Sequence, residues 1–309
     1  MKDGIDLSIC LISYNHEKYI RMAIESILMQ KTTYRYEIIA VDDCSTDRTA
    51  AIIKEYAIKY SDKIKAVLLP YNTYKTVNDA FKRARDLACG KYVITIEGDD
   101  YWISPYKIQR QLDFLTSHPD YIAVAHNCII VDGESKELRE VYPECHDNEY
   151  TLAHWYKGFL PGQTATIMYV NPILNKSIDW SLKNKGLIPG DRLTAYILAL
   201  NGKVYCIQEK MSAYRHVVMG GTSFSANNKY IYEKDERWYS EVVKYTYRYG
   251  NCEQIEKAEV LYLENIFRGI VKGHQATFKD VILDSYCKSG KGRLLLDFIF
   301  KQIKERIYK

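Results

Sequence analysis

The sequence predicts an α/β protein with a doubly wound, mostly parallel sheet and a helical C-terminal region. Strand and helix patterns alternate through the first hundred residues, as they do in parallel sheets that are covered by helices on both faces. Polar and acidic residues directly follow three of the predicted strands. After the glycine pair Gly220-Gly221 the patterns are almost wholly helical. These observations predict one large α/β domain, residues 1–223, followed by a smaller helical region, residues 224–309.

Hydrophobic spacing defines the elements of the first hundred residues. Leu7–Ser13 is a continuous apolar run, which is typical of a buried strand, and in residues 19–30 apolar side chains recur at helical intervals. The pattern then repeats, with Ser45 as a candidate cap of the second helix. By the same criteria we predict strands at 37–41, 64–69 and 92–96 and helices at 46–60 and 77–88.

Beyond residue 103 the alternation becomes irregular. Ser104-Pro105 is a typical helix start and precedes a helical pattern. Asp132-Gly133 marks a tight turn, and Asn201-Gly202 marks the end of a helix. We predict helices at 107–115 and 191–199 and strands at 122–131, 164–169 and 203–207.

The composition is that of a globular protein. Hydrophobic residues make up 47% and charged residues 27% of the 309 residues, which excludes a disordered chain. No apolar run is long enough to cross a bilayer, and the start of the chain lacks the apolar segment of a signal peptide. The eight cysteines are scattered without a Cys-x-x-Cys pair, so neither a disulfide framework nor a zinc site is predicted. We expect a cytoplasmic protein.

Positive charge is concentrated in the C-terminal tail, residues 288–309. The tail carries a net charge of +5 while the rest of the chain sums to −1, so the body lacks the broad basic face of a nucleic-acid-binding protein. Six apolar residues of the tail share one helical face: Leu295, Leu296, Ile299, Phe300, Ile303 and Ile307. Such a stripe fits a helix at a membrane surface, packing onto the large domain, or contact with a second subunit of a homo-oligomer.

A cluster of acidic residues ends the strand predicted at 92–96. Glu97, Asp99 and Asp100 follow this strand directly, and sheets of this class bind ligands at the carboxyl ends of their strands. Carboxylate oxygens are hard ligands suited to Mg²⁺ or Mn²⁺, and these ions usually accompany phosphate groups. An acidic, solvated turn around Gly98 is the alternative interpretation.

Five ordered segments of the chain, taken together, resemble a known family. They are Ile12-Ser13-Tyr14-Asn15, Val41-Asp42-Asp43-Cys44-Ser45-Thr46-Asp47, Ala88-Cys89-Gly90-Lys91-Tyr92 with Glu97-Gly98-Asp99-Asp100-Tyr101-Trp102, Pro189-Gly190-Asp191, and Tyr214-Arg215-His216. In this order they resemble the family 2 glycosyltransferases, inverting enzymes of the GT-A fold that transfer a sugar from a nucleotide-sugar to an acceptor. The resemblance covers about residues 5–223. It implies a nucleotide-sugar-binding half, 1–103, and an acceptor-binding half, 104–223.

The resemblance implies how the donor nucleotide is bound. Tyr14 resembles the aromatic residue that packs on the base, and Asp43 resembles the carboxylate that accepts the imide hydrogen of uracil. The Ile12 backbone would add hydrogen bonds to the base, and Asn15 would shape the pocket. Ordinary half-buried packing of Tyr14 and helix capping around Asp43 are the alternatives. The resemblance thus implies a UDP-sugar as the donor.

The resemblance also implies a divalent metal, Mn²⁺ or Mg²⁺. The metal motif of the family has two aspartates flanking one residue, whereas this chain has Glu97-Gly98-Asp99 as its donor-binding turn. Asp99 is then the direct metal ligand, and the longer Glu97 contacts either the ribose or the metal through water. His216 resembles a further metal or diphosphate ligand, with a structural role as the alternative. Arg215 is expected to contact the diphosphate.

Asp191 resembles the single catalytic base of the family. Inversion by direct displacement needs one base that deprotonates the acceptor hydroxyl on the face opposite the leaving group. Asp191 follows Pro189-Gly190 and opens a predicted helix. Capping of this helix is the alternative role for the carboxylate.

The sequence therefore predicts a metal-dependent, non-processive glycosyltransferase, either a hexosyl- or a hexosaminyltransferase. The expected acceptor is a glycan or a lipid-linked glycan of a surface polysaccharide, and the expected location is the cytoplasm, at the inner face of the membrane if the tail binds lipid. Two other classes stay open. A nucleotidyltransferase would normally show a Gly-rich basic loop after the first strand, which residues 14–17 do not provide. A glycan-binding module would not need Asp99 and Asp191 together.

Overall fold

The computed structural model describes residues 4–74, 76, 79–185, 187, 190–216 and 232–271. The chain divides into two compact units, Met1–Asn227 and Asn228–Lys309. The predicted boundary after residue 223, the glycine pair Gly220-Gly221 and the C-terminal tail lie outside the described residues. The apolar stripe of the tail therefore stays a prediction.

Four parallel strands form the first half of the sheet in the first unit. They are β1 (Leu7–Ser13), β2 (Tyr36–Asp42), β3 (Ile64–Leu68) and β4 (Tyr92–Glu97). Their order across the sheet is β3-β2-β1-β4, so β1 lies between β2 and β4. Every residue of β1 is buried, because a central strand of such a sheet is covered on both faces.

Helices cover both faces of this half. They are α1 (Ile20–Leu28), α2 (Thr49–Lys59) and α3 (Ala80–Asp86). Leu7, Ile9 and Leu11 of β1 pack into one core cluster with apolar residues of α1 and α2. Helix α3 contacts β1 and β2 but contributes nothing to that cluster. Because side chains alternate along a strand, α3 lies on the opposite face.

The second half of the sheet is mixed. Its strands are β5 (Tyr101–Trp102), β6 (Tyr121–Val131), β7 (Glu149–Tyr150), β8 (Met168–Val170) and β9 (Lys203–Arg215). The order continues β4-β8-β6-β9-β5, and β7 pairs with β9. Strand β8 is antiparallel to both neighbours, whereas β6 and β9 are parallel. The helices of this half are α4 (Lys107–Ser117), α5 (Leu152–Tyr156) and α6 (Gly190–Asn201).

Strand β9 continues past its predicted end at residue 207, through irregularities that bend it. Its register with β6 shifts where Asn127 pairs with Lys210 and Cys128 pairs with Ser212. Extra residues of this kind bend a strand and increase its twist. Beyond the shift, β9 pairs with β5. Only three residues connect β4 to β5, and so short a connection brings the far end of β9 beside the carboxyl end of β4.

Two predictions about this unit are wrong. Ser45 does not cap α2, because the helix begins at Thr49 and the Ser45 hydroxyl instead donates to Asp42. The strand predicted at 164–169 is also different. Its first three residues form a 3₁₀ turn, which the Gln163 side chain stabilises by accepting a hydrogen bond from Ala165 N at 2.6 Å. The strand itself, β8, is only three residues long.

The described part of the second unit is a pair of consecutive helices, α7 (Tyr232–Tyr249) and α8 (Cys252–Val271). Val243, Ala258 and Tyr262 form their buried apolar contact. The Tyr262 hydroxyl donates to Glu236 at 2.6 Å, which adds a polar link between the two helices. Of the helices that the structure describes in either unit, none is both long and apolar enough to span a membrane.

Candidate active site

The carboxyl ends of β1, β2 and β4 meet at one edge of the sheet. In the parallel registers, Ser13 pairs with Asp42 and Ile12 pairs with Glu97. The loops that follow these three strands therefore share this edge, where α/β sheets bind ligands. Gly98 N donates to the Ile12 carbonyl at 2.8 Å, which fixes the loop after β4 to the end of β1.

A network of hydrogen bonds fixes the loops after β1 and β2. Asn15 has a φ of 55°, in the left-handed region that asparagine tolerates better than most residues. Its Oδ1 accepts from Thr46 N at 2.8 Å, and its own N donates to Ser45 Oγ at 2.9 Å. Asp47 Oδ2 accepts from Glu17 N at 3.1 Å. Asn15 therefore joins the two loops that flank the predicted nucleotide pocket.

Asp43 lies buried directly after β2, and one of its carboxylate oxygens is bound by Thr73. Its Oδ1 accepts hydrogen bonds from the N and the Oγ1 of Thr73, both at 2.7 Å. Among the residues that the structure describes, nothing donates to Oδ2, which leaves this oxygen for an N–H donor of a ligand. Tyr14 lies half-buried in the neighbouring loop after β1.

Three carboxylates converge after β4. Oxygens of Glu97, Asp99 and Asp100 lie within 4.8 Å of one another. Asp99 Oδ1 is buried and has no hydrogen-bond partner within the described part of the chain. The other oxygen of this carboxylate, Oδ2, lies 3.8 Å from Nε2 of His16. The arrangement leaves at least one buried ligand atom without a proton donor.

The proximity of these groups changes their acidity. Burial, followed by the negative charges of Asp99 and Asp191, raises the pKa of Glu97 to about 8. Burial, followed by the charges of Asp99 and Glu97, raises the pKa of Asp100 well above its usual value. A divalent cation would oppose both shifts, because positive charge favours ionised carboxylates. The unpartnered Asp99 oxygen and the all-oxygen donor set therefore fit a hard divalent metal.

Gly98 allows the ends of β1 and β4 to approach closely. A Cβ at this position would lie 2.9 Å from Nδ1 of His16, 2.9 Å from Cδ1 of Ile20 and 3.0 Å from Cβ of Ser13. Contacts this short would require the His16 and Ile20 side chains to shift, whereas Cβ of Ser13 is fixed to the end of β1. The position between Glu97 and Asp99 therefore favours glycine for packing.

Asp100 and Arg215 join this turn to the end of β9. Asp100 Oδ1 accepts from Arg215 N, and Oδ2 accepts from Gln163 Nε2, both at 2.8 Å. The Arg215 guanidinium is buried, with Nε donating to the Asp99 carbonyl at 2.9 Å and Nη1 donating to the Asp132 carbonyl at 2.7 Å. This geometry favours a bracing role for Arg215, and its predicted contact with the diphosphate stays a prediction.

Asp191 lies in the first turn of α6, which begins one residue earlier. Its Oδ1 accepts from Arg192 N at 2.7 Å. The negative charge of Asp191 helps to raise the pKa of Glu97, although burial contributes more. Lys183 Nζ donates to the Gly190 carbonyl at 2.7 Å and so holds the start of the helix. The structure thus places Asp191 within electrostatic reach of the carboxylates after β4.

His216 directly follows β9. Its N donates to the Val131 carbonyl at 2.8 Å, and its Nδ1 lies 2.8 Å from the Glu140 carboxylate. The Tyr214 ring stacks on it at 6.2 Å. Within the described residues, the compact group of possible metal ligands after β4 contains the three carboxylates and not His216. The metal role of His216 stays a prediction.

Sequence reasoning missed three residues of this site. His16 faces the carboxylate of Asp99, Thr73 binds Asp43, and Gln163 binds the last carboxylate of the turn. His16 directly follows the motif segment Ile12-Ser13-Tyr14-Asn15, and this adjacency could have identified it as a site residue. Thr73 and Gln163 lie 30 and 63 residues from the carboxylates they contact, in loops without periodicity, so no pattern singles them out.

The fold and this edge define the class of protein. A parallel first half, a mixed second half and an acidic turn at the carboxyl edge together form the GT-A architecture of glycosyltransferases. The chain belongs to glycosyl transferase family 2, because the model of that family matches residues 8–176. The family that the resemblance implied is therefore confirmed.

Relatives with curated sequences match parts of the chain. Rv1520 of Mycobacterium tuberculosis (strain ATCC 25618 / H37Rv), an uncharacterized protein, is 30% identical over 222 residues, which cover 69% of this chain and 60% of the relative. TuaG of Bacillus subtilis (strain 168), named as a teichuronic acid biosynthesis glycosyltransferase, is 37% identical over 109 residues, 35% of this chain and 41% of TuaG. The matched region therefore spans about 60% of the length of the mycobacterial relative.

Solved structures share the fold at low identity. S. aureus TarS 1–349, solved in complex with UDP-GlcNAc, has a TM-score of 0.63 and 17% identity, covering 91% of this chain and 77% of that chain. The mannosyltransferase PcManGT from Pyrobaculum calidifontis, solved with GDP-Man and Mn²⁺, has a TM-score of 0.53 and 13% identity, covering 96% and 81%. The predicted GT-A fold is therefore confirmed.

Proposed function

We propose that this chain is an inverting, non-processive glycosyltransferase that uses a UDP-sugar, a divalent metal and a glycan or lipid-linked glycan acceptor. The observation that carries the proposal is the group of three carboxylates at the sheet edge. Within the described residues, no lysine or arginine side chain forms an ion pair with this group. The His16 ring lies 3.8 Å from the Asp99 carboxylate, and the Arg215 guanidinium donates to the Asp99 carbonyl. A partly buried group of carboxylates of this kind suits Mn²⁺ or Mg²⁺ with a diphosphate.

Asp99 and Glu97 are the residues that would hold the metal. Both oxygens of Asp100 accept hydrogen bonds from the protein, whereas Asp99 has a buried oxygen without a partner among the described residues. The metal, when bound, supplies positive charge that stabilises the diphosphate leaving group. The Mn²⁺ in the PcManGT complex supports manganese as the ion.

Four residues at or directly after the ends of β1 and β2 would bind the nucleotide. Asp43 Oδ2, which has no donor among the described residues, would accept the imide N–H of uracil, and the half-buried Tyr14 offers a ring for the base to pack on. The Ile12 backbone lies directly beside these loops, and Asn15 holds them in place. The UDP-GlcNAc in the TarS complex supports UDP as the nucleotide of the donor.

Asp191 would be the catalytic base. It belongs to the acceptor half, 104–223, whereas the metal ligands belong to the donor half, 1–103, so the two halves would face each other across the sugar. A single base opposite the leaving group is the requirement for direct displacement with inversion.

The proposed acceptor is a growing surface glycan, and the transferred sugar is a hexose or hexosamine. TuaG, which is similar over 109 residues, is named for the biosynthesis of teichuronic acid. We place the reaction in the cytoplasm, with the +5 tail touching anionic lipids at the inner face of the membrane. The helical region, residues 224–309, would then carry the catalytic domain to its lipid-linked acceptor. Self-association of the chain through the apolar stripe of the tail is the alternative role for these residues.

Calorimetry with UDP tests the metal site directly. Wild-type protein in Mn²⁺ should bind UDP, and both EDTA treatment and Asp99→Asn should weaken binding by about tenfold or more, because the diphosphate then meets uncompensated negative charge. Asp62→Asn, an equal change at an exposed aspartate, should leave the affinity unchanged. Unchanged UDP binding under both treatments would remove the metal from the proposal.

Product analysis separates the proposal from the two alternative classes. Incubation with a panel of UDP-sugars and Mn²⁺ should release UDP, and an acceptor product should have the opposite anomeric configuration to the donor. A nucleotidyltransferase would instead release pyrophosphate from UTP and a sugar phosphate. A glycan-binding module would release neither. Failure of every UDP-sugar to yield UDP would overturn the proposed reaction.

A further inference from the structure

A second group of metal-binding side chains lies outside the candidate active site. Ligand atoms of Cys145, Asp147 and His154 lie within 4.8 Å of one another. His154 Nε2 is 2.7 Å from Asp147 Oδ2, and Gln208 Nε2 donates to the carbonyls of both Cys145 and Cys206, which brings the two cysteines to the same place. We propose that Cys145, Cys206, His154 and Asp147 form a structural zinc site.

The donor set is the reason for choosing zinc. Structural Zn²⁺ sites are tetrahedral and use four protein ligands drawn from cysteine thiolates, histidine nitrogens and carboxylates. Hard cations such as Mg²⁺ prefer all-oxygen sites and therefore suit the carboxylates after β4 instead. On binding, each of the two thiols releases one proton to solvent, and no electron transfer is involved.

The backbone around the two thiols is held in place by the protein. Gln208 Nε2 donates to the carbonyls of Cys145 and Asp147 at 3.2 and 3.0 Å and to that of Cys206 at 3.2 Å. Cys206 N also donates to the Asn148 carbonyl at 2.8 Å. The backbone that carries both thiols is therefore held together before any metal is present. Such preorganisation lowers the cost of assembling a site from residues 61 positions apart.

The His154 imidazole has a hydrogen-bond partner for Nδ1, the nitrogen that would not bind zinc. Zinc on Nε2 requires the ring proton on Nδ1, which lies 3.1 Å from Oγ1 of Thr151, and this hydroxyl oxygen can accept it. The hydrogen bond from Thr151 N to the same nitrogen, at 3.2 Å, is then given up. The Asp147 side chain is 74% exposed, whereas both thiols are buried, so an ion enters from the Asp147 side.

The site would connect three parts of the acceptor half. Cys145 and Asp147 belong to the segment between β6 and β7, His154 belongs to α5, and Cys206 belongs to β9. Helix α5 in turn contacts α6, where Trp155 Nε1 donates to the Arg192 carbonyl at 2.9 Å. Arg192 directly follows Asp191. Zinc would therefore stabilise the elements that hold the proposed base, without touching the reacting groups.

Metal content of the purified full-length chain tests the proposal. Protein expressed with zinc and purified under reducing conditions should carry about one zinc per chain by elemental analysis. Cys145→Ser, Cys206→Ser and His154→Ala should each lose most of it. Cys89→Ser, an exposed cysteine far from the cluster in sequence, and Asp99→Asn should both keep it. Loss of zinc in Asp99→Asn but not in the cysteine variants would place the ion in the active site and overturn the proposal.

Spectroscopy of wild-type protein keeps the proposal testable if the variants fail to fold. Stripped wild-type protein titrated with Co²⁺ should develop thiolate-to-cobalt charge-transfer absorption, and one equivalent of Zn²⁺ should abolish it. Absence of zinc together with absence of this absorption would overturn the proposal. A mass two hydrogens lower, with Cys145 and Cys206 linked in a peptide map of the unreduced native protein, would also overturn it and identify a redox-active dithiol instead.

Discussion

Glu97 has a charge that depends strongly on its surroundings. Its pKa in the folded protein is about 8, chiefly because of burial, whereas glutamate in an unfolded chain titrates at about 4.3. Between these values the folded state keeps a proton that the unfolded state has lost. Stability must therefore fall as pH rises from about 4.5 to about 8, and remain constant above that range. Asp100, whose pKa is also raised, contributes with the same sign.

We expect the unfolding free energy of metal-free protein to fall as pH rises from about 5 to about 8. Glu97→Gln should reduce this fall, because an amide does not titrate. Urea denaturation in EDTA at several pH values measures it. Glu134→Gln, at an exposed position, should reproduce the wild-type profile. A Glu97→Gln profile that also matches the wild type would mean that other groups cause the pH dependence.

Asp191→Asn should separate chemistry from donor binding. The amide oxygen can still accept the hydrogen bond from Arg192 N, but the side chain can no longer take a proton. We expect turnover to fall by about a hundredfold or more while UDP affinity stays within about twofold, which is the pattern for loss of a general base. Steady-state kinetics beside calorimetry measure both quantities. Near wild-type turnover would show that another group is the base.

At the residue scale, sequence predicted what is local. The three carboxylates follow one strand within four positions, so a strand end rich in acids was enough to predict a cation site. The hydrogen bonds that hold Asp100 come from Gln163 and Arg215, which are 63 and 115 residues away. Neither contact leaves a periodic or compositional trace, and only the fold brings these side chains together.

At the scale of elements, the junction of β4 and β9 depends on one buried guanidinium. Arg215→Lys keeps the charge but loses the planar fork that reaches the carbonyls of Asp99 and Asp132 together. We expect a loss of about 2–3 kcal/mol of unfolding free energy, because buried backbone acceptors lose charged donors. Chemical denaturation measures this loss.

Arg110→Lys is the matched control for this substitution. Arg110 pairs with Glu209 at the surface, where the side chains are 49% and 45% exposed. Exposed ion pairs contribute about 0–1 kcal/mol, so this variant should be almost as stable as the wild type. Equal losses in the two variants would contradict the bracing role of Arg215.

The elements that sequence predicted well are those with long, regular patterns. β1 has the predicted bounds because its apolar run is continuous, and α1 has the predicted buried face. Strands β5 and β7 have two residues each, too few to show any alternation. Strand β9 was predicted to end at residue 207, because the polar residues Gln208, Glu209 and Lys210 at its bend interrupt the apolar pattern.

At the scale of the whole molecule, the basic tail should determine membrane binding. The rest of the chain has a net charge of −1, whereas the tail has +5, and each basic residue near an anionic surface contributes about 1 kcal/mol. We expect full-length protein to sediment with anionic liposomes at low salt, and a chain ending at Gly292 to stay in the supernatant while still binding UDP. Insoluble truncated protein would assign the stripe to packing or to subunit contact.

The ordered motif segments predicted the family and the fold class, and both are confirmed. The first half of the sheet was predicted more completely than the second half. Its strands are parallel and largely apolar, and the central strand β1 is a continuous buried run, whereas the strands of the second half are short, antiparallel or bent. For such strands the pairing partner, rather than the local sequence, decides where the strand begins and ends.

The partners of the acidic turn also constrain when the enzyme can form. Asp99 and Asp100 are bound by Arg215, 116 and 115 positions further along the chain. A ribosome therefore releases the whole donor half, and most of the acceptor half, before that arginine emerges. Until then the nascent chain has its acidic turn without the brace from β9, and closing so long a loop is slow compared with forming local contacts. The hydrogen bonds that join the acidic turn to β9 therefore form only after synthesis has passed residue 215.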